Sequence, residues 1–485
     1  MEFSHIVLVL GLTSWLVLPA VLRFLRRPPV PPSHGALKKF AGEQPWAFYA
    51  RCSKILDLLE RRSSFQCKPR WPMAELLGRQ HNVGFQYYGD RLKKSRRILH
   101  ASLSVNSVSA TWHGLLDAQS AKLVQSFLIS PQTFYDDVQS NVQTLVVRFT
   151  YGHVPDPDYI NLATKVMHET GIALQPGKWL INSIPALARV PVWMPGAGFQ
   201  RWAKEARDSF LDMTRTPFCK VKEEIAHGHP EDSFVQQAFA NLPDMHTSED
   251  EDIVMCAAGS LFSGKRPLLQ RETQTGRPIS AGTDTLAGSI LTFIVLIARH
   301  PEAQERAYQE IISVVGADRL PGLEDRHSLP FVDTVIQESH RYNPAIPLVT
   351  HSNTEEDEYI GLRIPKKTWI MANVWAMLHD ESVYPDPDNF VPERFASGSV
   401  QPDPRRLLYG FGRRRCPGLH FANAFVYLVA VRVLFLFEII LEAQGGNPCP
   451  PALKFKTGLV PAPKRSRCMF RPRPHAAEVL GHVRV

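Results

Sequence analysis

The sequence predicts a mainly α-helical body with minor sheet, preceded by an N-terminal transmembrane helix. Apolar residues at helical spacing fill most of the chain, whereas strand-like pieces are short and lie late in it. An uncharged apolar stretch opens the chain. The composition, 44% hydrophobic and 21% charged, is ordinary for a globular protein and excludes a disordered or collagen-like chain.

The first element is the predicted membrane anchor, Phe3–Leu22, which contains no Asp, Glu, Lys or Arg. Its length is about that of a helix that crosses a bilayer. Arginines follow it directly, and then comes the proline-rich stretch Pro28–Pro32. A cleaved signal peptide carries its positive charge before the apolar run, so this order indicates a retained anchor with the rest of the chain in the cytosol.

Three segments follow from this pattern. We predict a membrane anchor at residues 1–27, a proline-rich hinge and shortened N-terminal segment at 28–45, and a catalytic domain at 46–485. The helical patterns in that domain are Trp46–Arg61, Val108–Phe127, Val138–Thr150, Tyr159–Leu174, Phe199–His227, Leu286–Val315 and Leu329–Arg341, and the strand patterns are Glu358–Ile364, Thr368–Asn373 and Phe455–Val460.

Charge and cysteine usage narrow the class of partner and compartment. The net charge of +8 permits a membrane surface or an acidic partner, but it is too diffuse to indicate nucleic-acid binding. Seven cysteines without a CxxC pair argue against a disulfide framework or a structural zinc site. A reducing compartment is therefore expected.

The strongest chemical signal is the segment Tyr409–Gly418. Gly412 and Gly418 allow tight turns, and Arg414 stands two positions before the thiol of Cys416. The next residue, Pro417, can begin the apolar helix that follows, and a cysteine at a helix N-terminus has a lowered pKa. A single cysteine is most often a small buried hydrophobe, so the spacing of the whole segment carries the prediction that Cys416 is a thiolate.

This segment resembles the haem-binding loop of the cytochrome P450 monooxygenases, whose pattern is Phe-x-x-Gly-x-Arg-x-Cys-x-Gly. Gly412, Arg414, Cys416 and Gly418 match it, and Tyr409 stands where the family usually has Phe. The resemblance implies haem b, bound at Arg414 and Gly418, with Cys416 as the axial ligand. A thiolate ligand pushes electron density onto the iron and favours cleavage of the O–O bond.

Two further motifs resemble the family's core network. Glu338 and Arg341 form a Glu-x-x-Arg pair, whose spacing puts both side chains on one face of a helix. The segment Pro392–Phe395 stands between this pair and the cysteine loop. The resemblance implies that Arg394 completes a network that ties the haem loop to the core.

The segment Ala281–Thr285 resembles the family's distal-helix signature, Ala/Gly-Gly-x-Asp/Glu-Thr. The resemblance implies that its small residues open a groove for dioxygen. It also implies that Asp284 and Thr285 are catalytic, since they supply and orient the protons that the reaction needs. The same residues also suit a helix cap before the apolar run Leu286–Ile297, and both interpretations can hold.

Family resemblance also nominates the groups that bind the haem propionates and the redox partner. Arg96, His351 and Arg414 are the propionate candidates, and Leu92 replaces the tryptophan that the family usually carries near Arg96. We expect a basic docking face for an acidic electron-transfer partner, NADPH–cytochrome P450 reductase. Its candidate residues are Lys93, Lys94, Arg97, Arg405, Arg406 and Arg413.

The substrate is predicted only as a class. By position, the pocket would be lined by Met73–Tyr88, Ala281, Ile346–Leu348 and Thr457–Val460. These residues are mostly apolar, which indicates a hydrophobic organic substrate. The run of motifs looks most like the fungal, O-methylsterigmatocystin-oxidoreductase-like branch, which includes secondary-metabolite and xenobiotic oxidations.

Two departures from the family pattern stand out. Only Ser33–Asp57 occupies the place of a longer substrate-channel hairpin. A polar, basic segment, residues 264–280, interrupts the predicted distal helix, and it contains Pro267 and Pro278. Because two prolines cannot sit inside a regular helix, the segment is more typical of a translated intron or a gene-model error than of a regulatory loop.

Together these features predict a haem-thiolate monooxygenase with a single-pass anchor in the endoplasmic reticulum membrane and a cytosolic catalytic domain. It would insert one oxygen atom of O2 into a hydrophobic substrate with electrons from the reductase. The alternatives are a non-catalytic or impaired haem-binding paralogue, and a peroxide-using or isomerising haem-thiolate enzyme. The retained Asp284 and Thr285 favour monooxygenation.

Overall fold

The computed structural model describes residues 55–154, 156–175, 177–243, 245–262, 282–359, 362–442, 453, 455 and 460–481. All of them belong to one compact unit, Cys52–Val485. The predicted anchor, the hinge, Ala281 and the insertion at 264–280 lie outside the described residues. So does most of the predicted pocket-lining stretch Thr457–Val460, of which only Val460 is described.

The first half of the described chain is helical, as the apolar spacing predicts. Helix α6 begins after Asp156, whose carboxylate accepts the amide of Asp158 at 2.8 Å, and α10 begins with a capping box formed by Thr247 and Asp250. The bounds are α1 Pro72–Leu76, α2 Asp90–Leu103, α3 Val105–Ala110, α4 His113–Ile129, α5 Phe134–Tyr151, α6 Pro157–Ala173, α7 Leu180–Ser183, α8 Gly198–Ala226, α9 Phe234–Ala240 and α10 Ser248–Leu261.

The second half contains the helices that carry most of the motifs. They are α11 Thr283–Ile297, α12 Pro301–Val315, α13 Pro330–Tyr342, α14 Val374–Leu378, α15 Arg405–Leu408, α16 Leu419–Leu436 and α17 Ala476–Gly481. The prediction of one helix over Leu286–Val315 is wrong, since α11 and α12 meet at 105°. The cause is Pro301, because the residue before a proline avoids the helical region, and His300 has φ −126° and ψ 71°.

Three two-stranded antiparallel sheets complete the described part of the fold. Strand β1 (Leu348–Ser352) pairs with β4 (Trp369–Asn373), β2 (Asp357–Tyr359) with β3 (Leu362–Ile364), and β5 (Phe437–Leu441) with β6 (Cys468–Pro472). The single strand predicted over Glu358–Ile364 is therefore a hairpin. In the stretch predicted as a strand at Phe455–Val460, Phe455 forms an isolated bridge with Pro463, and residues 456–459 lie outside the described part.

Helix α16 lies at the centre of the core. It is apolar around its whole circumference, which is typical of a helix buried on all sides, and it packs against α4, α11 and α12. Within the described residues it is the one single helix long and apolar enough to cross a membrane, but 78% of it is buried inside the protein. Its burial places the segment that follows the cysteine loop at a fixed position in the body.

Candidate active site

The cysteine loop folds as its glycines predict. Gly410 and Gly412 have φ +76° and +51°, a region that residues with a side chain rarely adopt. The amide of Cys416 donates to the carbonyl of Tyr409 at 2.7 Å and closes the loop. Helix α16 then begins at Leu419 with Gly418 as its N-cap, two residues later than the predicted start at Pro417.

A platform from the N-terminal end of the described chain holds this loop. The side-chain oxygen of Gln66 accepts the amide of Arg413 at 3.0 Å, and its Nε2 donates to the carbonyl of Leu59 at 3.1 Å. A Cβ on Gly412 would lie 2.5 Å from the carbonyl oxygen of Leu59. Gly412 is therefore required both for its backbone angles and for the close approach of the platform, residues 59–68.

Two observations describe the surroundings of the thiol of Cys416. Its residue is exposed by accessible area, yet burial raises the pKa of the thiol. We attribute both facts to a side chain that is accessible on one side and closely surrounded by protein on the others. The backbone of Gly418 and the charge of Arg96 act in the opposite direction and are too weak to reverse the shift.

The sequence-based expectation of a lowered thiol pKa is therefore wrong in sign for the isolated polypeptide. Desolvation disfavours the charged thiolate more strongly than the helix end and the arginine favour it. A metal ion inverts this balance, because coordination deprotonates a thiol outright. The environment of Cys416 thus suits a thiol that becomes a thiolate on metal binding.

Two of the nominated arginines bracket the loop. Arg414 donates from Nε to the carbonyl of Gln66 at 2.7 Å and from Nη2 to the carbonyl of Gln86 at 2.6 Å. Burial lowers its pKa to about 10. Arg96 lies half-buried on α2 and donates from Nη2 to the carbonyl of Arg415 at 2.7 Å. Leu92, in place of the family's tryptophan, is fully packed in the core.

His351 lies on β1 beside a cation that the sequence reasoning missed. Its Nδ1 donates to the carbonyl of Phe65 at 2.8 Å, while its Nε2 is buried without a hydrogen-bond partner. Burial first, and then the charges of Lys68 and Arg414, lower the pKa of His351 to about 3. Lys68 donates to the carbonyl of Thr350 at 2.8 Å, and burial together with Arg414 lowers its pKa to about 8.

These side chains form a cation cluster, which we define as Lys68, Arg96, His351 and Arg414. Within the described residues none of the four is in an ion pair. Three of them, Lys68, Arg96 and Arg414, are partly buried charges, and like charges held close together are costly unless an anion compensates them. The orphaned Nε2 and the depressed pKa values therefore fit a site for carboxylate groups. The only sequence signal for Lys68 was a cation before Pro69, which is ordinary surface composition.

The Glu-x-x-Arg pair is fully buried and bidentate. Arg341 donates from Nε and Nη2 to the two carboxylate oxygens of Glu338 at 2.7 and 2.9 Å. Arg394 approaches the same carboxylate at 3.2 Å, as the resemblance implies. Both arginines also donate to the backbone carbonyl of Asn389. This network ties α13 to the stretch that leads into the cysteine loop.

The distal signature stands at the start of α11. Asp284 and Thr285 lie in its first turn, half-buried, and the hydroxyl of Ser289 donates to the carbonyl of Thr285 at 3.0 Å. The N-cap is Gly282, which has no side chain that could cap the helix. A Cβ on Gly282 would lie 2.4 Å from the carbonyl oxygen of Leu261. Helix α11 therefore begins directly against the end of α10.

One member of the predicted docking face does not belong to it. Arg405 is half-buried and forms ion pairs with Asp333 at 3.0 Å and with Asp403 at 2.7 Å. These two carboxylates within the protein compensate its charge. The other five candidates, Lys93, Lys94, Arg97, Arg406 and Arg413, are exposed. The sequence could not separate them, because Arg405 and Arg406 are adjacent.

Comparisons with known proteins agree with this geometry. The family model described as Cytochrome P450 matches residues 271–469. Cytochrome P450 monooxygenase ppsD of Aspergillus oryzae is 32% identical over 418 residues, which cover 84% of this chain and 76% of that protein. Cytochrome P450 monooxygenase claR of Ampulloclitocybe clavipes is 29% identical, with 97% of this chain and 90% of that protein covered.

The fold has solved counterparts as well. A structure of zebra fish cytochrome P450 with progesterone superimposes with a TM-score of 0.67 at 21% identity, and covers 87% of this chain and 93% of that one. A loop cysteine, a buried Glu-x-x-Arg network and uncompensated cations define a haem-thiolate protein as a class. The chain belongs to the cytochrome P450 family. It is thus an oxidoreductase of the monooxygenase type, and its cofactor is a haem iron held by a thiolate.

Proposed function

We propose that Cys416 is the axial ligand of haem b and that the enzyme oxidises a hydrophobic organic substrate. The observation that carries this proposal is the cation cluster beside the cysteine loop. Three cationic side chains, Lys68, Arg96 and Arg414, surround the neutral His351 and form no ion pair in the described part of the chain, which favours an anionic partner. The two propionates of haem b meet that requirement.

Each residue of the cluster has a role in holding the cofactor. Arg414, Arg96 and Lys68 retain free donors that can pair with carboxylates, and such charge-assisted bonds are roughly twice as strong as neutral ones. His351 can take up a proton at Nε2 once a carboxylate offsets the neighbouring cations. A Cβ on Gly418 would make an ordinary contact with Sγ of Cys416 at 3.9 Å, so the proposed role of Gly418 beside the cofactor rests on the resemblance.

When bound, the haem supplies the oxidising chemistry, and the polypeptide supplies positions and protons. Asp284 is half-buried in the first turn of α11, where a carboxylate is favoured by the helix N-terminus. It exchanges protons with solvent and hands them to the hydroxyl of Thr285, which is the next residue. Thr285 then orients the proton toward the oxygen groove.

We propose NADPH–cytochrome P450 reductase as the electron donor. The docking face comprises the five exposed cations Lys93, Lys94, Arg97, Arg406 and Arg413. Arg97 and Lys93 belong to α2, which also carries Arg96, while Arg413 belongs to the cysteine loop. A partner with an acidic surface would be steered to the face formed by α2 and the cysteine loop.

We further propose that the protein is held at the endoplasmic reticulum membrane. The predicted anchor at residues 1–27 is one element. The other is a cluster of exposed apolar side chains between α7 and the start of α8, in which Leu180 is 72% and Trp193 79% exposed. The remaining members are Ile184, Val192 and Met194. Apolar and tryptophan side chains at such a surface favour the membrane interface.

The substrate class rests on the apolar pocket candidates. Met73 and Leu77, two of the candidates described by the structure, are buried in an apolar cluster with side chains of α6, α7 and α8, which is consistent with a hydrophobic substrate. A role in secondary metabolism, and the similarity to the O-methylsterigmatocystin-oxidoreductase-like branch, stay predictions. Product analysis after incubation with candidate polyketide and terpenoid substrates would test them.

The test of the ligand is a spectrum of the reduced protein with carbon monoxide. Cys416→Ser should lose the red-shifted band that a thiolate produces, because a serine hydroxyl is not ionised at neutral pH. Cys67→Ser is the matched control, because this second thiol lies next to Lys68 and influences Arg414. A red-shifted band that survives in Cys416→Ser but not in Cys67→Ser would overturn the assignment.

One observation favours an impaired paralogue as the second candidate. Asp284 and Thr285 stand in the first turn of a helix that has no side-chain cap, directly after the inserted segment. A helix start without a side-chain cap is less stable than a capped one by about 1 kcal/mol. Normal haem binding combined with NADPH consumption that yields no product from any substrate bound would support this candidate.

A further inference from the structure

Arg79 is a buried arginine that the proposed mechanism does not use. It is 2% exposed and donates from Nη2 to the carbonyl of Val166 on α6 at 2.9 Å. Its Cζ lies 4.2 Å from the centroid of the ring of Phe210 on α8. Its Nε is buried without a hydrogen-bond partner, and among the residues that the structure describes no carboxylate forms an ion pair with it. One carbonyl and one ring compensate little of a buried charge.

Arg432 shows how an equally buried arginine is compensated in the same protein. It is also 2% exposed, but it donates to the carbonyls of Pro321 and Asp117 at 3.1 and 2.7 Å. It also forms an ion pair with the carboxylate of Asp117. A guanidinium has five N–H donors, and in Arg79 only Nη2 is engaged. The surroundings of Arg79 therefore suit an anionic group that approaches from outside the polypeptide.

The carboxyl group with the strongest influence on Arg79 is that of Glu169 on α6, and it does not supply this anion by contact. Glu169 is 8% exposed, its Oε2 is buried without a hydrogen-bond partner, and its Oε1 lies 4.0 Å from Nζ of Lys165. Burial raises the pKa of Glu169, which favours its neutral form. Burial also lowers the pKa of Arg79 to about 9, so the guanidinium is still protonated at neutral pH.

The segment that begins at Arg79 connects the cysteine loop with the distal helix. The carbonyl of Gln86 accepts Nη2 of Arg414 at 2.6 Å, and the amide of Val83 donates to Oγ of Ser260 at 2.9 Å. Ser260 lies in the last turn of α10, which ends against the start of α11. The Cα atoms of Arg79 and Val83 are at most about 14 Å apart, because four residues span no more than that. Arg79 is thus within the length of a small organic molecule from the start of α11.

We propose that Arg79 is a specificity-determining residue that binds a carboxylate of the substrate, and that the substrate is an amphiphilic organic acid. The inference rests on the proposed haem-thiolate function, because it names the substrate class of that site. The carboxylate accepts hydrogen bonds from the guanidinium, and such charge-assisted bonds are roughly twice as strong as neutral ones. The apolar part of the acid then extends toward α11.

The first test compares acids with neutral analogues of the same carbon skeleton, by calorimetric titration of the haem-loaded enzyme at about pH 7.5. The two pairs are dodecanoate with dodecan-1-ol, and biphenyl-4-carboxylate with biphenyl-4-methanol. In at least one pair the Kd of the acid should be at least about tenfold lower than that of the alcohol. The pair that shows the preference distinguishes an aliphatic from an aromatic acid. No preference for the acid in either pair would overturn the inference.

The second test is Arg79→Gln, which removes the charge. The acid and the alcohol of the preferred pair should then bind within about twofold of each other, while the Kd of the alcohol stays within about twofold of the wild-type value. The matched control is Arg207→Gln, because Arg207 is an exposed cation of α8 whose side chain lies beside Gly78. A preference that persists in Arg79→Gln, or that is lost equally in Arg207→Gln, would overturn the inference.

A third variant keeps the test decisive if Arg79→Gln does not fold. Arg79→Lys retains the charge but loses the planar donor set, so the preference for the acid should fall by at least about threefold without disappearing. An unchanged preference in Arg79→Lys would overturn the inference. A wild-type protein without the thiolate band would contradict the proposed function, whereas a normal band without any preference for the acid would overturn this inference alone.

Discussion

Lys68 is a partly buried cation whose pKa is lowered by its surroundings. Its amine bonds to one carbonyl and is repelled by Arg414, so burial and charge together hold its pKa at about 8 instead of 10.5. In the polypeptide alone, the folded state therefore binds fewer protons than the unfolded state between those two values. Stability of the haem-free protein should accordingly rise from about pH 8 to about pH 10.5.

The first prediction concerns haem retention by Lys68→Met. Removing a charge-assisted contact to a propionate should accelerate haem loss to an excess of a haem-scavenging protein by about tenfold, which corresponds to about 1.4 kcal/mol. Lys93→Met is the control, because Lys93 is exposed and paired with Asp90 at 2.9 Å. Equal rates of haem loss from wild type and Lys68→Met would contradict the proposed role of Lys68.

The second prediction concerns His340, which lies next to the ion pairs of Arg405. It is 3% exposed, its Nε2 has no hydrogen-bond partner, and burial lowers its pKa to about 4. The unfolded chain takes up this proton near pH 6.5, so the folded state loses stability as pH falls from there toward 4. The loss should be about 2 kcal/mol between pH 6.5 and pH 5.

Urea unfolding at pH 6.5 and pH 5 measures this effect. His340→Gln should lose about 2 kcal/mol less than wild type over that interval, because glutamine does not titrate. The exposed His229→Gln should behave like wild type. A His340→Gln protein with the full wild-type pH dependence would show that other groups cause the acid instability.

At the scale of single residues, the sequence could predict the role of those residues whose spacing matches a characteristic motif. Cys416, Arg414 and the Glu338–Arg341 pair stand in fixed patterns, and the structure gives the last of these its expected bidentate geometry. Lys68 stands in no pattern. Its importance comes from the residues that the fold brings next to it, Arg414 and His351, and the sequence alone does not show those contacts.

The junction of α10 and α11 is the most unusual element. Leu261 and Gly282 lie side by side although Phe262 and residues 263–281 separate them in sequence. Removal of residues 264–280 would place Gly282 four positions after Leu261, which is the spacing of an α-helical hydrogen bond. The existing positions of these two residues therefore already suit a direct join.

The third prediction follows from this junction. Deleting Gly264–Ser280 should raise both the haem content per protein and the product formed per NADPH consumed, because α10 and α11 could then continue as one helix through Asp284 and Thr285. The control is a chain in which Gly264–Ser280 is replaced by a glycine–serine segment of equal length. This variant shows whether the effect comes from the interruption of the helix or from the amino-acid composition of the segment. Equal or better performance of the undeleted chain would show that the segment is tolerated or useful.

Element boundaries were harder to predict than element types. Apolar spacing continues through Ala298–His300, so Leu286–Val315 looked like one helix, and only the proline at 301 marked the break. The strands β2 and β3 looked like one strand because only residues 360 and 361 separate them in the sequence. In both cases the chain changes direction because of its backbone geometry, and the hydrophobic pattern does not indicate that change.

The whole molecule is expected to use two separate contacts with the membrane. The fourth prediction is that deletion of residues 1–27 abolishes resistance to carbonate extraction but leaves residual sedimentation with microsomes and an unchanged haem content. Adding Leu180→Ser and Trp193→Ser to the deletion should remove most of that residual binding, since these are the most exposed apolar side chains of the cluster. A full-length protein that stays in the supernatant would refute the anchor.

The overall architecture was predictable because long amphipathic helices and a set of ordered motifs leave few alternatives. The relative orientation of those helices was not, since it depends on packing such as that of α16 among α4, α11 and α12. The docking face illustrates the limit. Arg405 and Arg406 are equivalent in sequence, and only the position of Asp333 on α13 decides which one turns inward.

The platform under the cysteine loop has a consequence for biosynthesis. Gln66 emerges early from the ribosome, but the amide of Arg413 that it binds lies 347 positions later. Contacts between such distant parts of a chain form slowly, because the intervening chain must first be ordered. The cofactor pocket therefore closes only when synthesis is nearly complete, and a translation product truncated before the loop would fold much of its helical body without ever acquiring haem.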